Sequence, residues 1–311
     1  MKFSEMKIGD VVEFPALLED LKLRYTPNQT SYYSANLSDG TDTVDARIWD
    51  INLKKDLKNG TVYLFNARIN EYGGKRQFVI TQIRDIDESE VNLRDFYRYA
   101  PIDEATLRTR IKEYIRKITN PILYKLVVTL IKDAEPAYFT YPAATSMHHN
   151  YLCGLAYHTY SMARLADQVL VNYPMLNSNL LYAGILLHDI GKTKELSSNV
   201  SPVYTMDGML LGHIVIGLNM ISNKAKELGY ESTEEVQMLL HMIAAHHGEL
   251  EYGSPKEPAT IEALALHLID LMDSKLASVE AEYEKTPAGE MTQGILSLGK
   301  KNLYKTKIDK K

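Results

Sequence analysis

The chain has 311 residues, of which 45% are hydrophobic and 24% charged, the composition of an ordinary globular protein long enough for two domains. No apolar run approaches the roughly 20 residues that cross a bilayer, and the amino terminus lacks the apolar segment of a signal peptide, so we expect a cytoplasmic protein without a membrane partner. A formal net charge of −5 argues against indiscriminate binding to nucleic acids, and a single cysteine excludes an internal disulfide and a metal site built of thiolates.

Residues 1–90 contain five short segments rich in valine, isoleucine, tyrosine and phenylalanine, which predict strands separated by turn signals. The segments are residues 10–20, 31–39, 42–50, 61–70 and 76–86. Five strands in so short a stretch suit a small all-β barrel of the OB type, although the alternation alone fits an SH3-like barrel equally well. Residues 35–50 resemble the hairpin of OB-folds that bind nucleic acids, and this favours the OB-type barrel.

A barrel of this type binds single strands by stacking bases on aromatic side chains while a groove follows the phosphates. We expect Trp49, Tyr33 and Arg47 to contact the nucleic acid. Other aromatic and basic residues are available, some of which must fill the barrel: Tyr32, Phe65, Tyr72, Phe78, Arg68, Lys75 and Arg76. Acidic side chains outnumber basic ones in residues 1–90, which weakens the expectation of tight binding.

From about Arg94 onward the hydrophobic period becomes helical, with Leu107, Ile111 and Ile115 on one stripe of a predicted helix. Further helices are predicted at 120–133, 150–172, 178–190, 207–228, 233–247 and 259–283. The sequence therefore predicts an OB-type barrel over 1–90, a basic helical segment over 91–134, and an all-α helical bundle over 135–311 that ends in a basic tail.

All nine histidines lie between residues 148 and 267. Histidines and carboxylates that fall on separate predicted helices are His158, the His188–Asp189 pair, His213, the His246–His247 pair and Asp270. Imidazole and carboxylate ligands together suit borderline divalent ions such as Mn²⁺, Fe²⁺ or Zn²⁺. Helical bundles build metal sites in their cores from ligands on facing helices, so the pattern predicts such a site.

The order of these residues resembles the HD-domain metallophosphohydrolases, whose hallmark is written here as "LLHDIGK", Leu186–Lys192. The resemblance implies six metal ligands, His158, His188, Asp189, His213, His246 and Asp270, with His247 as a further candidate. It also implies a helical HD domain that hydrolyses phosphate esters.

The adjacent His188–Asp189 pair fits two roles, because consecutive helix residues point about 100° apart. His188 can ligate one ion while the oxygens of Asp189 bridge to a second, and two ions about 3.5–4 Å apart can polarise a phosphodiester and activate a shared water. Gly191 would then let the chain turn away, leaving Lys192 able to reach the phosphate. We therefore predict His188, Asp189 and Lys192 as the catalytic residues.

Several of these residues have a structural alternative. His213 lies among apolar neighbours and could be a core histidine, and His247 could ligate, support another ligand or bind substrate. His267 and Asp273 share a helix face with Asp270 and could support the ligands. Asp207 is expected to cap its helix.

The whole chain resembles the YhaM-type 3′-to-5′ exoribonucleases of Gram-positive bacteria. The matching stretches are residues 138–162, 186–196, 244–255 and 268–275. The resemblance implies hydrolysis of single-stranded RNA or single-stranded DNA from the 3′ end to nucleoside monophosphates by a metal-activated water. Mn²⁺ is the favoured ion, with Fe²⁺, Co²⁺ or Zn²⁺ as alternatives and one or two ions per site. His148, His149 and Asn150 would contact the phosphate or sugar, or else cap the helix that follows.

Two other functions compete with this one. An HD-domain phosphohydrolase acting on a small nucleotide would leave the barrel without a role. A non-catalytic nucleic-acid-binding factor would not require the complete set of ligands. Assembly into a homo-oligomer is a further alternative that the sequence leaves open.

Overall fold

The computed structural model describes residues 2–87, 91–92, 95–144, 151–198, 200 and 202–308. The chain divides into two compact units, Met1–Tyr99 and Ala100–Lys311. The finer division, with residues 91–134 as a segment of their own, stays a prediction.

The first unit is a closed barrel of five strands in the part of the chain that the structure describes. The strands are β1 (Val11–Tyr25), β2 (Ser31–Ser38), β3 (Thr43–Ile48), β4 (Thr61–Tyr72) and β5 (Lys75–Asp85). Their order around the barrel is β1-β2-β3-β5-β4, and β1 pairs with β4 to close it. The β3–β5 pair is parallel, and the other pairs are antiparallel. A small Greek-key barrel of this kind is the OB architecture, so the predicted fold is confirmed.

The turn between β2 and β3 depends on the carboxylate of Asp39, which is only 3% exposed. Its oxygens accept hydrogen bonds from the backbone N–H groups of Phe3 at 2.6 Å and of Thr41 and Asp42 at 2.8 Å each. One buried side chain thus holds the turn and ties the amino-terminal segment to it. Gly40 follows with φ +82°, a conformation that favours glycine.

Strand β1 continues to Tyr25, five residues beyond its predicted end. The pairing with β2 shifts between Glu19 and Lys22, and Asp20 within this bulge has φ +51°. A bulge inserts an extra residue and breaks the alternation of buried and exposed side chains. The sequence pattern therefore ended at the bulge, although the strand does not.

The second unit is helical throughout its regular elements. Its helices are α1 (Glu104–Arg116), α2 (Pro121–Asp133), α3 (Ala137–Thr140), α4 (Gly154–Asn172), α5 (Ser178–Leu187), α6 (Lys192–Glu195), α7 (Met206–Glu227), α8 (Glu234–Ala245) and α9 (Ile261–Lys285). The predicted all-α bundle is confirmed. No helix among the described residues is long and apolar enough to cross a membrane.

Local sequence explains where these helices begin. The side chains of Asp103, Asn120 and Asn177 each accept hydrogen bonds from backbone N–H groups in the first turn of α1, α2 and α5. Helix α7 is capped by Thr205, whose hydroxyl accepts from Gly208 N at 3.0 Å. The expectation that Asp207 caps this helix is therefore wrong, because Asp207 already lies within the first turn.

Helix α5 lies in the middle of the bundle. Every residue from Leu181 to Ile190 is buried, and the stretch up to Leu187 has no charged side chain, as expected of a helix that is covered all round. At Gly184 an added Cβ would lie 2.4 Å from the Met242 methyl group of α8, so a small residue allows these helices to approach closely. The His188–Asp189 pair therefore follows the most buried helix of the unit.

Candidate metal centre

His188 is 1% exposed, and its backbone position at the end of α5 fixes which ring nitrogen can bind a metal. Its Nδ1 lies 2.8 Å from the carbonyl oxygen of Ile185. A carbonyl only accepts, so Nδ1 carries the proton and Nε2 presents a lone pair. That lone pair faces Asp189 Oδ2 at 3.1 Å and His158 Nε2 at 3.3 Å.

His246 is placed by the same device at the end of α8. Its Nδ1 lies 2.8 Å from Ile243 O, and the residue is fully buried. Burial, together with the neighbouring His247 and His188, holds the pKa of His246 well below its ordinary value. The ring is therefore neutral and able to ligate a cation. Its neighbour His247 donates Nδ1–H to Tyr252 O at 2.8 Å, which also leaves Nε2 as the ligand atom.

His158 on α4 lies between two carboxylates of α9. Its Nε2 is 3.2 Å from Asp270 Oδ1, and its Nδ1 is 2.7 Å from Asp273 Oδ2. Burial lowers the pKa of His158, but the two carboxylates outweigh burial and raise it to about 9. The pKa of Asp270 lies below its ordinary value, because the hydrogen bond and charge of His158 and the nearby histidines outweigh the effect of burial. This part of the site has the electrostatics of a cation-binding pocket.

His213 is brought to the same place by a break in α7. Gly212, with φ +71° and ψ 160°, interrupts the helix just before it. Nε2 of His213 lies 3.4 Å from Asp189 Oδ1, and Nδ1 lies 3.3 Å from Glu195 Oε1. His213 is therefore joined to the same pocket as the His188–Asp189 pair.

The candidate ligands form two clusters around Asp189. One contains His158, His188 and Asp270, and the other contains His213, His246 and His247; within each, the ligand atoms lie within 4.8 Å of one another. Asp189, 4% exposed, directs Oδ2 toward His188 and Oδ1 toward His213. The two clusters and Asp189 together contain all six metal ligands predicted from the sequence, and His247 as well.

The donor atoms fit a divalent cation. Among the described residues, Asp189 Oδ1, His213 Nε2 and His246 Nε2 are buried and have no hydrogen-bond partner. Buried polar atoms normally have one, so a group of orphaned acceptors at one point is unusual. Neutral imidazoles and carboxylates are ligands for borderline divalent ions, and these atoms fit such an ion.

Lys192 lies on the Asp189 carboxylate, with Nζ 2.7 Å from Oδ2. Burial lowers the pKa of Lys192, but the charge of Asp189 more than offsets this and raises it. Burial likewise raises the pKa of Asp189, and Lys192 and His188 outweigh it, so this pKa lies well below its ordinary value. Both side chains are therefore charged, and the ammonium lies at the edge of the ligand cluster.

Gly191 acts differently from the sequence expectation. Its φ of −59° and ψ of −26° are right-handed helical, so it makes no glycine-specific turn. An added Cβ would instead lie 1.9 Å from the carbonyl oxygen of His213. Glycine is required here because the backbone after α5 presses against α7 beside a candidate ligand.

On the barrel, Trp49 is 47% exposed, and its ring lies against that of Tyr32, with centroids 4.6 Å apart and planes tilted by 33°. Tyr33 is partly buried against the barrel core, on the other side of β2, because side chains alternate along a strand. Arg47 pairs with Asp45 and donates to the backbone oxygen of Ala46. Of the other proposed aromatics, Phe65 and Phe78 are fully buried, whereas Tyr72 is exposed.

Arg47 and Tyr32 share a hollow of about 190 Å³ on the outer face of β1, β2 and β3. The other lining residues are Asp20, Lys22, Arg24, Ser34, Ala35, Asn36 and Asp45. Charged groups of both signs and one aromatic ring thus meet on this face.

The remaining proposed contacts, His148, His149 and Asn150, lie outside the described residues. Sequence reasoning missed Glu195, which lies three positions after Lys192, because an acidic residue in a short helix carries no signal of its own. Asp273 was predicted as a supporting residue, because its spacing from Asp270 places both on one helix face. His267 supports the centre from the same helix, since its Nδ1 lies 3.0 Å from the backbone oxygen of His246.

The helical unit matches the HD domain family over residues 155–275. The chain is also similar along nearly its full length to bacterial proteins named 3′-5′ exoribonuclease YhaM. The protein of Geobacillus sp. (strain WCH70) is 38% identical over 96% of this chain and 93% of its own length. Those of Shouchella clausii and Bacillus subtilis are each 36% identical over 98% of this chain, and over 96% and 98% of their own lengths.

Solved structures that overlap part of the chain include two with short matches. A Replication Protein A heterotrimer bound to ssDNA covers 27% of this chain and is matched over 64% of its own, with 17% identity and a TM-score of 0.23. The OB domain of MM0293 from Methanosarcina mazei covers 28% of this chain and is matched over 83% of its own, with 20% identity and a TM-score of 0.24. The assignment of the barrel rests on its own strand order.

Proposed function

The chain belongs to the YhaM family of 3′-5′ exoribonucleases, and on that premise we propose that it removes nucleoside monophosphates from the 3′ end of single-stranded RNA at the histidine–aspartate centre of its helical unit. One observation carries the proposal. Asp189 lies between two clusters of buried and partly buried side chains, one of two imidazoles and a carboxylate and the other of three imidazoles, and its Oδ1 is among the orphaned buried acceptors. Such an arrangement suits hydrolysis of a phosphodiester and has no evident role in a purely structural domain.

The HD domain and its histidine–aspartate clusters indicate a divalent metal. We propose Mn²⁺, with one ion held by His158, His188 and Asp270, a second held by His213, His246 and His247, and Asp189 shared between them. Such ions, when bound, polarise the phosphate and lower the pKa of a bound water. Fe²⁺, Co²⁺ and Zn²⁺ are alternatives that the same donor set accommodates.

The chain's own residues complete the reaction. Lys192, charged and only 13% exposed, is at the edge of the cluster, where its ammonium can neutralise a phosphate oxygen as negative charge develops. His188 and His246 keep their Nε2 lone pairs directed into the centre because backbone carbonyls hold their Nδ1 protons. Burial of the centre strengthens each of these interactions by excluding water.

The barrel supplies a surface for the rest of the strand. The exposed ring of Trp49, beside Tyr32, can stack a base, and Arg47, Lys22 and Arg24 in the adjoining hollow can approach phosphates. Base stacking does not distinguish ribose from deoxyribose, so single-stranded DNA is a secondary substrate in this proposal.

The test uses single-stranded RNA labelled at its 5′ end, incubated with the full-length protein and Mn²⁺. We expect a ladder that shortens from the 3′ end, nucleoside monophosphates as products, and no cleavage when EDTA replaces the metal. A DNA strand of the same sequence, deoxynucleoside triphosphates and cyclic nucleotides are assayed in parallel. Turnover of nucleotides without a ladder would favour a small-molecule phosphohydrolase, and a gel shift without cleavage would favour a non-catalytic RNA-binding protein.

A further inference from the structure

Among the five candidate histidine ligands, two have Nδ1 beside a carboxylate and three have it beside a backbone carbonyl oxygen. Nδ1 of His158 lies 2.7 Å from Asp273 Oδ2, and Nδ1 of His213 lies 3.3 Å from Glu195 Oε1. The imidazoles whose Nδ1 faces a carbonyl oxygen are His188 (Ile185 O), His246 (Ile243 O) and His247 (Tyr252 O). Each cluster therefore has one histidine supported by a carboxylate: Asp273 supports His158 in the first cluster, and Glu195 supports His213 in the second.

Asp273 is held rigidly against His158. It is 7% exposed, and its second oxygen, Oδ1, accepts a hydrogen bond from Ser161 Oγ of α4, one turn along from His158. Asp270 lies three residues earlier on the same face of α9 and approaches Nε2 of the same ring. Both ring nitrogens of His158 therefore face carboxylates of α9. Asp273, on the Nδ1 side, orients the ring so that Nε2 points toward Asp270 and the proposed ion site.

Glu195 is held as firmly beside His213. It is 7% exposed, and its Oε1 also accepts the backbone N–H of His213 at 2.9 Å. Its backbone oxygen accepts from Thr205 N at 2.9 Å, the residue that caps α7. An added Cβ on Gly208 would lie 2.4 Å from that same oxygen, so α7 packs directly on Glu195. The backbone of Glu195 is thus fixed against the start of this helix, which places its carboxylate beside His213.

A carboxylate that accepts the Nδ1 proton of a ligating histidine orients the ring and makes Nε2 more basic than a carbonyl partner does. We propose that Glu195 and Asp273 are positioning residues, each setting the affinity of one cluster for its ion: Asp273 for the cluster of His158, and Glu195 for the cluster of His213. This inference rests on the proposed function of the centre as a two-ion site. The competing explanation is that both carboxylates only stabilise the fold.

The test measures Mn²⁺ binding to the full-length protein, without RNA, by titration against the paramagnetic resonance signal of the free ion. We expect two ions to bind the unaltered chain. Asp273→Asn and Glu195→Gln should each weaken one of them by about 10- to 100-fold and leave the other within about twofold. Asp207→Asn, which alters an exposed carboxylate in the first turn of α7, is the matched control and should change neither ion.

Combination with ligand variants shows through which residue each carboxylate acts. In a His158→Ala background, Asp273→Asn should have no further effect on ion binding, whereas Glu195→Gln should keep its full effect. In a His213→Ala background, Glu195→Gln should have no further effect on ion binding, whereas Asp273→Asn should keep its full effect. If the two carboxylates only stabilised the fold, Asp273→Asn and Glu195→Gln would each have an effect in both backgrounds, because lost stability would add to the effect of either histidine variant.

Thermal unfolding in EDTA is recorded for every variant, so that affinity is compared only between folded proteins. Weakening of both ions by either single variant, effects that add in both backgrounds, or binding of a single ion would overturn the assignment. The outcome is separate from that of the nuclease proposal, because RNA takes no part in the titration. If the protein did not cleave RNA but showed this pattern of ion binding, the assignment of Glu195 and Asp273 as positioning residues would stand, and only the proposed substrate would be wrong.

Discussion

The Lys192 ammonium lies 2.7 Å from Oδ2 of Asp189, and the two side chains are 13% and 4% exposed. The carboxylate proposed to join two metal clusters is therefore also one half of a buried ion pair. Removing one partner of such a pair leaves the other charged and uncompensated, which typically costs about 3–5 kcal/mol. Substitutions at either position must be separated into effects on stability and effects on catalysis.

Asp189→Ala should abolish hydrolysis and lower the bound metal content, because both clusters lose their shared carboxylate. It should also lower the free energy of unfolding, since Lys192 remains buried and charged. The double variant Asp189→Ala/Lys192→Met should regain much of that stability and none of the activity. Activity, metal content and chemical unfolding are measured on the same preparations. Retention of more than about a tenth of the unaltered activity would contradict the two-metal assignment.

Lys192→Met should retain metal and lose turnover. The loss should be about 10²- to 10³-fold in kcat, the size seen when a group that stabilises developing charge is removed. Lys194→Met is the matched control, because Lys194 is exposed and lies two residues away; it should cleave at the unaltered rate. Reduced metal content with normal turnover of the loaded fraction would give Lys192 a structural role instead.

Gly191→Ala should displace the backbone of His213, because the new Cβ would lie 1.9 Å from its carbonyl oxygen. Overpacking of this kind costs about 1–3 kcal/mol, and we expect weaker metal binding as well. Gly217→Ala is the control on the other side of the same crossing, where the nearest atom to the new Cβ is at 3.5 Å, an ordinary contact. Thermal unfolding and metal titration of the two variants should diverge; equal behaviour would show that the backbone yields at this crossing.

Trp49→Ala should weaken binding of single-stranded RNA by about 1–3 kcal/mol, the contribution of one stacked base. The indole lies against Tyr32 but is 47% exposed, so part of its ring is open to a base. Tyr72→Ala is the control, since Tyr72 is exposed at the end of β4, away from the hollow. Binding is followed in EDTA by the anisotropy of a labelled strand. An equal loss in both variants, or no loss in either, would remove Trp49 from the binding surface.

Asp39→Asn should destabilise the barrel at neutral pH but not at low pH. Burial raises the pKa of Asp39, but the hydrogen bonds from Phe3, Thr41 and Asp42 outweigh it and hold the pKa at about 2, below the ordinary 3.8. A lowered carboxyl pKa contributes stability above the unfolded value and loses it as the pH falls through the folded one, here about 2 kcal/mol between about pH 5 and pH 2. The difference between the unaltered chain and the variant should therefore close over that range.

Trp49 is the only tryptophan of the chain, so its fluorescence during urea unfolding reports on the barrel separately. A difference between the two proteins that stayed constant from pH 5 to pH 2 would show that the Asp39 carboxylate has its ordinary pKa in the folded state.

The parts of the site that sequence could predict are those that repeat along a helix or belong to a motif. His188 and Asp189 lie near the end of the helix predicted at 178–190, and the other proposed ligands fell on further predicted helices. Glu195 could not be identified in this way, because its function depends on contact with His213, which is created by the packing of α6 on α7. A single sequence carries no record of such a contact.

The barrel, too, could be predicted from the sequence only in part. Its strands followed from alternation and turn residues, yet the alternation did not decide which of Tyr32 and Tyr33 faces outward, and the structure places Tyr32 beside Trp49. The bulge at Asp20 lengthened β1 beyond its pattern, and the break at Gly212 lies inside a sequence that reads as one helix. Both are local departures from regular backbone, and a periodic pattern does not encode them.

The order of the ligands along the chain has a consequence for synthesis on the ribosome. The barrel strands end at Asp85, whereas the proposed ligands begin with His158 on α4 and end with Asp270 on α9. Domains generally fold as units in the order in which they emerge. The barrel can therefore fold while the chain is still growing, but the proposed metal centre cannot be completed until α9 has emerged from the ribosome.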